Sequence, residues 1–383
     1  MHYKPAIVIV AYNRRNTLER LLSYINQANY PDENVNLIIS IDYCEDNQDV
    51  INSAEKFQWK HGTKTVKTHT QNMGLKAHIL ECGDYALEYG AVIILEDDLV
   101  VAPAYYEFVQ DAQNFYYNDN NIAGVSLYSH EWNGYAHKKF TPIVKDGDVF
   151  FGQFSCTWGQ SWTDKQWKNF QEWYNKCPKL TRDGRMPERI YTWKHSWGKY
   201  YTAYITETNK FYVIPYKPMS SVFGEVGVHA KLRSLEHQVS LYLGNKKLEM
   251  VEFEQGVHYD IFFENIDLKQ KIKQKFIVDD VCIDIYAHRR LEFINSRYLL
   301  STRKLDKKII KAFALDMRPQ EMNVFFDVEG QDIFLYDMSV DEKNMVYKKK
   351  GRIFYDLTGV RPRTALFYAI CYGLEERINA RRK

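Results

Sequence analysis

Three acidic residues in a row, Glu96-Asp97-Asp98, interrupt an apolar stretch that reads VIILEDDLVVAP from Val92 to Pro103. Ionised carboxylates are costly to remove from water unless something pairs them. The run VIIL leads in and LVV resumes at once, so the acids sit at a rigid strand end rather than in a solvated acidic loop. Carboxylates so placed suit a hard divalent cation, which takes oxygen ligands and often binds through one or two carboxylates plus phosphate oxygens. Asp42, in LIISIDYCED, admits two readings. It is a strand-end carboxylate of the kind that meets a nucleobase or ribose, or a local cap, with Asp46 and Asn47 equally able to cap the next helix. Arg14 and Arg15 follow AIVIVAYN; they are solvated arginines or a fork for phosphate.

The elements that position these residues alternate strand and helix. AIVIVAY is an uninterrupted apolar strand of the buried parallel type. NTLERLLSYINQA follows with Leu18, Leu21, Leu22 and Ile25 at helical spacing and Asn16 or Thr17 as the expected N-cap. VNLIISID, DVINSAEKFQW, KTVKTHT, GLKAHILECGDYALEYG and AVIILEDD continue the series. This βαβαβαβ order predicts an α/β, doubly wound, mostly parallel sheet with ligands at the carboxyl ends of its strands. Arg14, Asp42 and Glu96–Asp98 all fall on that edge. Further on, AYYEFVQDAQNFYY reads as a helix and NIAGVSLYS as a strand. Trp158, Trp162, Trp167 and Trp173 are expected mostly in the core, with one or two free to stack on a sugar face. KFYVIPYKPMSSVFGEVGVHAK reads as a strand entering a glycine-containing loop. We divide the chain at 1–239 and 240–383; the second part is Lys-rich, with NVFFDVEGQDIFLYDMS expected to form a hairpin turning near Gly330.

With 45% apolar and 15% aromatic residues, the 383-residue chain has material for a full core, and a net charge of +2 argues against a nucleic-acid binder. The scattered cysteines (Cys44, Cys82, Cys156, Cys177, Cys282, Cys371) have no zinc-like spacing and read as reduced thiols of a cytoplasmic protein. Ala6–Val10 runs into AYNRR rather than a cleavage site, and no stretch approaches the ~20 apolar residues of a membrane span. Neither GxGxxG nor GxxxxGK[ST] occurs, so a Rossmann dehydrogenase and a P-loop kinase are not expected.

Five pieces carry a family resemblance: VIVAYNRRNTLERLL, IISIDYCED, NMGLKAHILECGDYALEYGAVIILEDDLVVAPAYYEFV, SCTWGQSW and SSVFGEVGVH. Together they resemble GT-A-fold glycosyltransferases, in particular those related to N-acetylglucosaminyltransferase I and its bacterial polysaccharide-synthesis counterparts. The 240–383 part would be a C-terminal α+β accessory region. The resemblance implies that Glu96-Asp97-Asp98 is a form of the DxD motif, with Asp98 the ligand of Mn²⁺ or Mg²⁺ and Glu96 and Asp97 touching ribose and sugar. Asp42 would meet the nucleobase, Arg14 the diphosphate, and Asn72 the donor. The loop Ser220–His229 would close over the donor sugar. The implied reaction is an inverting transfer of a hexosyl or N-acetylhexosaminyl group from a nucleotide-diphosphate sugar, UDP-sugar favoured. The acceptor would be a hydroxyl of a glycan or lipid-linked molecule in surface polysaccharide synthesis.

Such a displacement needs a base for the attacking hydroxyl. Family members carry an acid after a Trp in a WDD-like stretch, whereas HSWGKYYTAY has Gly198 and Lys199 there. Glu225 and His229 are the substitutes. Two rivals stand beside this reading. A sugar nucleotidyltransferase would show a Gly-rich basic loop after the first strand, and AYNRRNTLERLL has no glycine. A non-catalytic carbohydrate-binding relative would lack the base. Finally, RPRTALFYAICYGLEERINARRK is an apolar helix with basic flanks. It suits peripheral docking on an anionic inner membrane surface, or packing on the chain's own core or a second subunit.

Overall fold

The structure, a computed structural model, describes residues 3–31, 34–177, 179–194, 196–225, 235–343, 355–356 and 370. The alternation expected at the start is present as β1 (Ala6–Ala11), α1 (Arg15–Gln27), β2 (Leu37–Ile41), α2 (Gln48–Lys56), β3 (Lys64–Thr68), α3 (Leu75–Tyr89) and β4 (Ala91–Glu96). Strand β1 lies between β4 and β2, β3 follows β2, and all these pairings are parallel. Every residue of β1 and β2 is buried, which is why their sequences are unbroken apolar runs rather than alternating ones. One face of the sheet takes the stripe Leu18, Leu21, Leu22 and Ile25 of α1 against Ile7, Ile9, Ile39 and Ile93. On the other face α3 approaches the helix Asp164–Lys176 so closely that a Cβ on Gly83 would stand 2.1 Å from the Trp167 ring.

Among the described residues the sheet has nine strands. Their spatial order is His258–Tyr259, Val149–Gly152, Phe211–Pro215, Ile122–Ser126, Gln160–Thr163, β4, β1, β2, β3. Gln160–Thr163 runs antiparallel to both its neighbours. The chain leaves this sheet at Asp97. Strand β5 (Leu99–Val101) turns away and pairs antiparallel with Ser220–Val222, Leu99 opposite Val222. The residues after Val222 are thereby set beside the acidic turn.

The chain forms two compact units, residues 1–267 with 288–294, and residues 268–287 with 295–383. The division expected at 239/240 falls inside the first unit, because Leu248 and Val251 join its core and His258–Tyr259 its sheet. The second unit is α+β. Helix Leu268–Phe276 and strands in the order Val281–Asp284, Tyr298–Ser301, Ile333–Asp341, Lys307–Phe313 enclose Leu268, Ile272, Ile283, Leu300 and Leu335. The hairpin expected near Gly330 is not formed. Its first arm is a short helix, Met322–Phe325, because the Asn323 side chain ties that turn to Asp316, Met317 and Gln320 backbone groups. Neither Asn16 nor Thr17 caps α1, which starts at Arg15 with Arg14 at the cap position, two residues before Asn16, and no side-chain cap bond. The described cysteines are free thiols, Cys82 and Cys156 buried. No described helix is long and apolar enough to cross a membrane.

Candidate active site

Because β4, β1 and β2 are parallel neighbours about 4.8 Å apart, the residues leaving their carboxyl ends meet. Arg14 follows β1 and forks between two carboxylates of the β4 turn. Its Nη1 lies 2.9 Å from Asp98 Oδ2, and its Nη2 donates to Asp97 Oδ1. Asp97 is 3% exposed, its backbone N–H still on the ladder with the Val10 carbonyl. Burial drives the Asp97 carboxyl up to about 6; Arg14 opposes this and Asp98 adds to it. Burial, then Asp98 and Asp97, push Glu96 up to about 8 against the pull of Arg14. Burial disfavours the charge on Arg14 itself, but the two aspartates outweigh that and raise its pKa.

Asp42 ends β2, and backbone groups surround it. Its Oδ1 accepts from the Tyr43 and Met73 amides, both at 2.8 Å, and its Oδ2 from the Gly74 amide at 3.0 Å. Gly74 holds φ +75°, ψ 150°, a conformation that side-chain-bearing residues rarely adopt. Asn72 donates its amide to the Tyr43 carbonyl at 3.0 Å. The NMG segment is therefore pinned over the end of β2 by Asp42 and Asn72 together. Asn47, a cap candidate, takes the cap position of α2 without a side-chain cap bond; its amide donates to the Asp42 carbonyl.

Glu225 is brought to the same edge by the Ser220–Val222 strand. Both its oxygens are engaged by Arg20 of α1, at 2.9 and 2.7 Å. That pairing offsets the charge with which a base would draw a proton. Arg20 went unnoticed in the sequence; the only signal was a charged residue beside the apolar stripe of α1. His229, and the end of the Ser220–His229 loop, lie outside the described residues. Gly198 opens the helix Gly198–Glu207, and Lys199 donates to the Tyr191 and Trp193 carbonyls. Trp162 and Trp167 are core residues, while Trp158 and Trp173 are partly exposed. Trp158 packs among Tyr128, His130 and His237.

Among the described residues no three His, Cys, Asp or Glu side chains converge as a ready-made metal cage. The donor set nevertheless fits a hard cation that brings further ligands with it. Asp97 Oδ2 is buried without a hydrogen-bond partner, and the Asp98 side chain is 30% exposed. Carboxylate oxygens of this kind suit Mn²⁺ or Mg²⁺, with phosphate oxygens and water completing the shell.

Residues 6–186 match the family model described as glycosyl transferase family 2. This stretch is just under half of the chain and holds β1 to β5 with the helices between them. Arg14, Asp42, Asn72 and Glu96–Asp98 all lie within it, and Glu225 and His229 lie beyond it. No curated protein matches the chain. Among solved structures, it is similar to the mannosyltransferase PcManGT from Pyrobaculum calidifontis in complex with GDP-Man and Mn²⁺, at 11% identity and TM-score 0.34. That likeness covers 56% of this chain and 58% of that one. It is also similar to S. aureus TarS 1-349 in complex with UDP-GlcNAc, at 12% identity and TM-score 0.39, covering 59% and 60%. The chain thus spans less than two thirds of either structure.

Proposed function

We propose that this protein is a divalent-cation-dependent, inverting glycosyltransferase. It would move a hexosyl or N-acetylhexosaminyl group from a nucleotide-diphosphate sugar, UDP-sugar favoured, to a hydroxyl of a glycan or lipid-linked acceptor in surface polysaccharide synthesis. The observation that carries this reading is the Arg14–Asp97–Asp98 cluster at the carboxyl ends of adjacent parallel strands, inside the family 2 segment. Asp98, with Asp97 beside it, would hold Mn²⁺ or Mg²⁺, which when bound offsets the charge developing on the leaving diphosphate. Arg14 can turn its fork from the aspartates to a phosphate, since carboxylate and phosphate offer it the same paired-oxygen geometry. Asp42 and Asn72 fix the 72–74 segment as a rigid wall for the nucleoside, a pre-organisation that lowers the ordering cost of binding. Glu225 and His229 are the base candidates for the acceptor hydroxyl. Residues 361–383, all but Ile370 outside the described ones, would dock the enzyme peripherally on an anionic cytoplasmic membrane surface.

The test is Asp98→Ala with a panel of UDP-, GDP- and CDP-sugars and Mn²⁺. Wild type is expected to be stabilised by one of them and to turn it over, and the variant to fold normally but lose Mn²⁺-dependent turnover. Unchanged turnover in the variant removes Asp98 from the metal site. A wild type that neither binds nor turns over any member of the panel removes the transferase reading.

A further inference from the structure

Arg20 is half-buried on α1, and its guanidinium lies over the Phe223 ring, 3.6 Å from the centroid. It grips Glu225 end-on, Nη1 to Oε1 and Nη2 to Oε2. Its Nε–H is buried and meets no acceptor. Glu225 stabilises its charge most, and Asp98 is near enough to contribute. Arg14, at the start of the same helix, holds Asp97 and Asp98. Six residues of helix rise about 9 Å, a distance two arginine side chains can close toward one pair of phosphates. One helix end thus presents two guanidinium groups to one strand edge, and each is occupied by carboxylates of the protein itself.

We propose that Arg20 is a second diphosphate-binding residue of this site and that Glu225 is its built-in counter-ion. Glu225 would hold the anion position until a donor phosphate takes it. The inference rests on the reading of the edge as a nucleotide-diphosphate site. An end-on fork satisfies Nη1 and Nη2 but leaves Nε–H without an acceptor, so the carboxylate does not saturate the guanidinium, and a phosphate offers the same paired oxygens to the two Nη groups. Stacking on Phe223 holds the guanidinium plane fixed while its partner changes, as arginine on an aromatic face allows. A pair that served only to staple the loop would contribute little at this exposure. The ladder between β5 and Ser220–Val222 instead delivers Glu225 to the residues that follow Asp98. This role does not exclude Glu225 as a base: a phosphate on Arg20 would remove the fork that offsets its charge.

Internal competition predicts opposite effects from the two partners. Calorimetric titration would use Mn²⁺ with whichever of UDP, GDP and CDP stabilises wild type most, and the matching monophosphate as control. Arg20→Met is expected to weaken the diphosphate about tenfold, with the monophosphate changed less than about twofold. Arg20→Lys should recover part of the loss, because it keeps the charge without the fork. Glu225→Gln is expected to bind the diphosphate several-fold more tightly than wild type. Weaker or unchanged diphosphate binding in Glu225→Gln overturns the proposal, as does an equal loss for mono- and diphosphate in Arg20→Met. Should Arg20→Met fail to fold, Arg20→Lys and Glu225→Gln decide the matter. A wild type that binds none of the three diphosphates overturns the nucleotide-site reading, and this inference with it.

Discussion

Asp42→Asn is the substitution that best separates a structural anchor from a nucleobase contact. Asp42 is 4% exposed and receives three backbone N–H groups, two on Oδ1 and one on Oδ2. The amide of the variant offers one acceptor oxygen. Keeping that oxygen on the Tyr43 and Met73 amides turns the new NH₂ toward the Gly74 N–H, donor facing donor where 3.0 Å now separates a bonded pair. The loss of a hydrogen bond to a charged acceptor costs about 1.5–3 kcal/mol, and the partly buried Gly74 donor left without a partner adds up to about 1–3 kcal/mol. After partial relaxation we expect a net loss of about 3 kcal/mol, a large share of the roughly 5–15 kcal/mol that holds a domain folded. Urea unfolding of the two proteins measures this loss. Amide hydrogen exchange should localise it, with Met73 and Gly74 exchanging faster in the variant. A loss below about 1 kcal/mol with both amides still protected would refute the anchor. In that case reduced nucleotide affinity alone would return Asp42 to the nucleobase role that the family resemblance implies.

His78 makes the protein sensitive to mild acid. It is 2% exposed, with Nε2 2.7 Å from the Ser40 hydroxyl, and burial lowers its pKa to about 4. The folded value lies below that of an unfolded histidine, so the unfolded chain takes up the proton first. The stability is complete above about pH 6.5 and declines by up to about 3 kcal/mol as pH falls toward 4. His78→Gln should flatten that part of the stability curve, and parallel curves for the two proteins would show the assignment wrong. For membrane docking, sedimentation with phosphatidylserine vesicles is expected to fall when residues 361–383 are removed. Equal sedimentation before and after removal rejects that role.

Periodicity is a local property, and it made the first half of this fold legible. Unbroken apolar runs at β1, β2 and β4 mark strands buried on both faces, and Leu18, Leu21, Leu22 and Ile25 mark the face of α1. Once those strands are parallel neighbours, Arg14, Asp42 and Glu96–Asp98 must share an edge, because each follows directly from a strand end. What the residues do there was not legible. Asp42 was readable as a cap or a base contact; the tertiary structure places the Met73 and Gly74 amides on it, thirty-odd positions away in sequence. Where local pattern was weak the reading slipped, as at the helix Met322–Phe325, whose turn is fixed by Asn323 rather than by any apolar period. The pairing of β5 with Ser220–Val222 joins segments more than a hundred residues apart, and with it the meeting of Arg20 and Glu225 beside Asp98. Sequence by itself determined the strands and the chemistry at their ends, since both depend on near neighbours. Only the tertiary structure decided which charges face one another, because a side chain's partner is set by how distant segments pack.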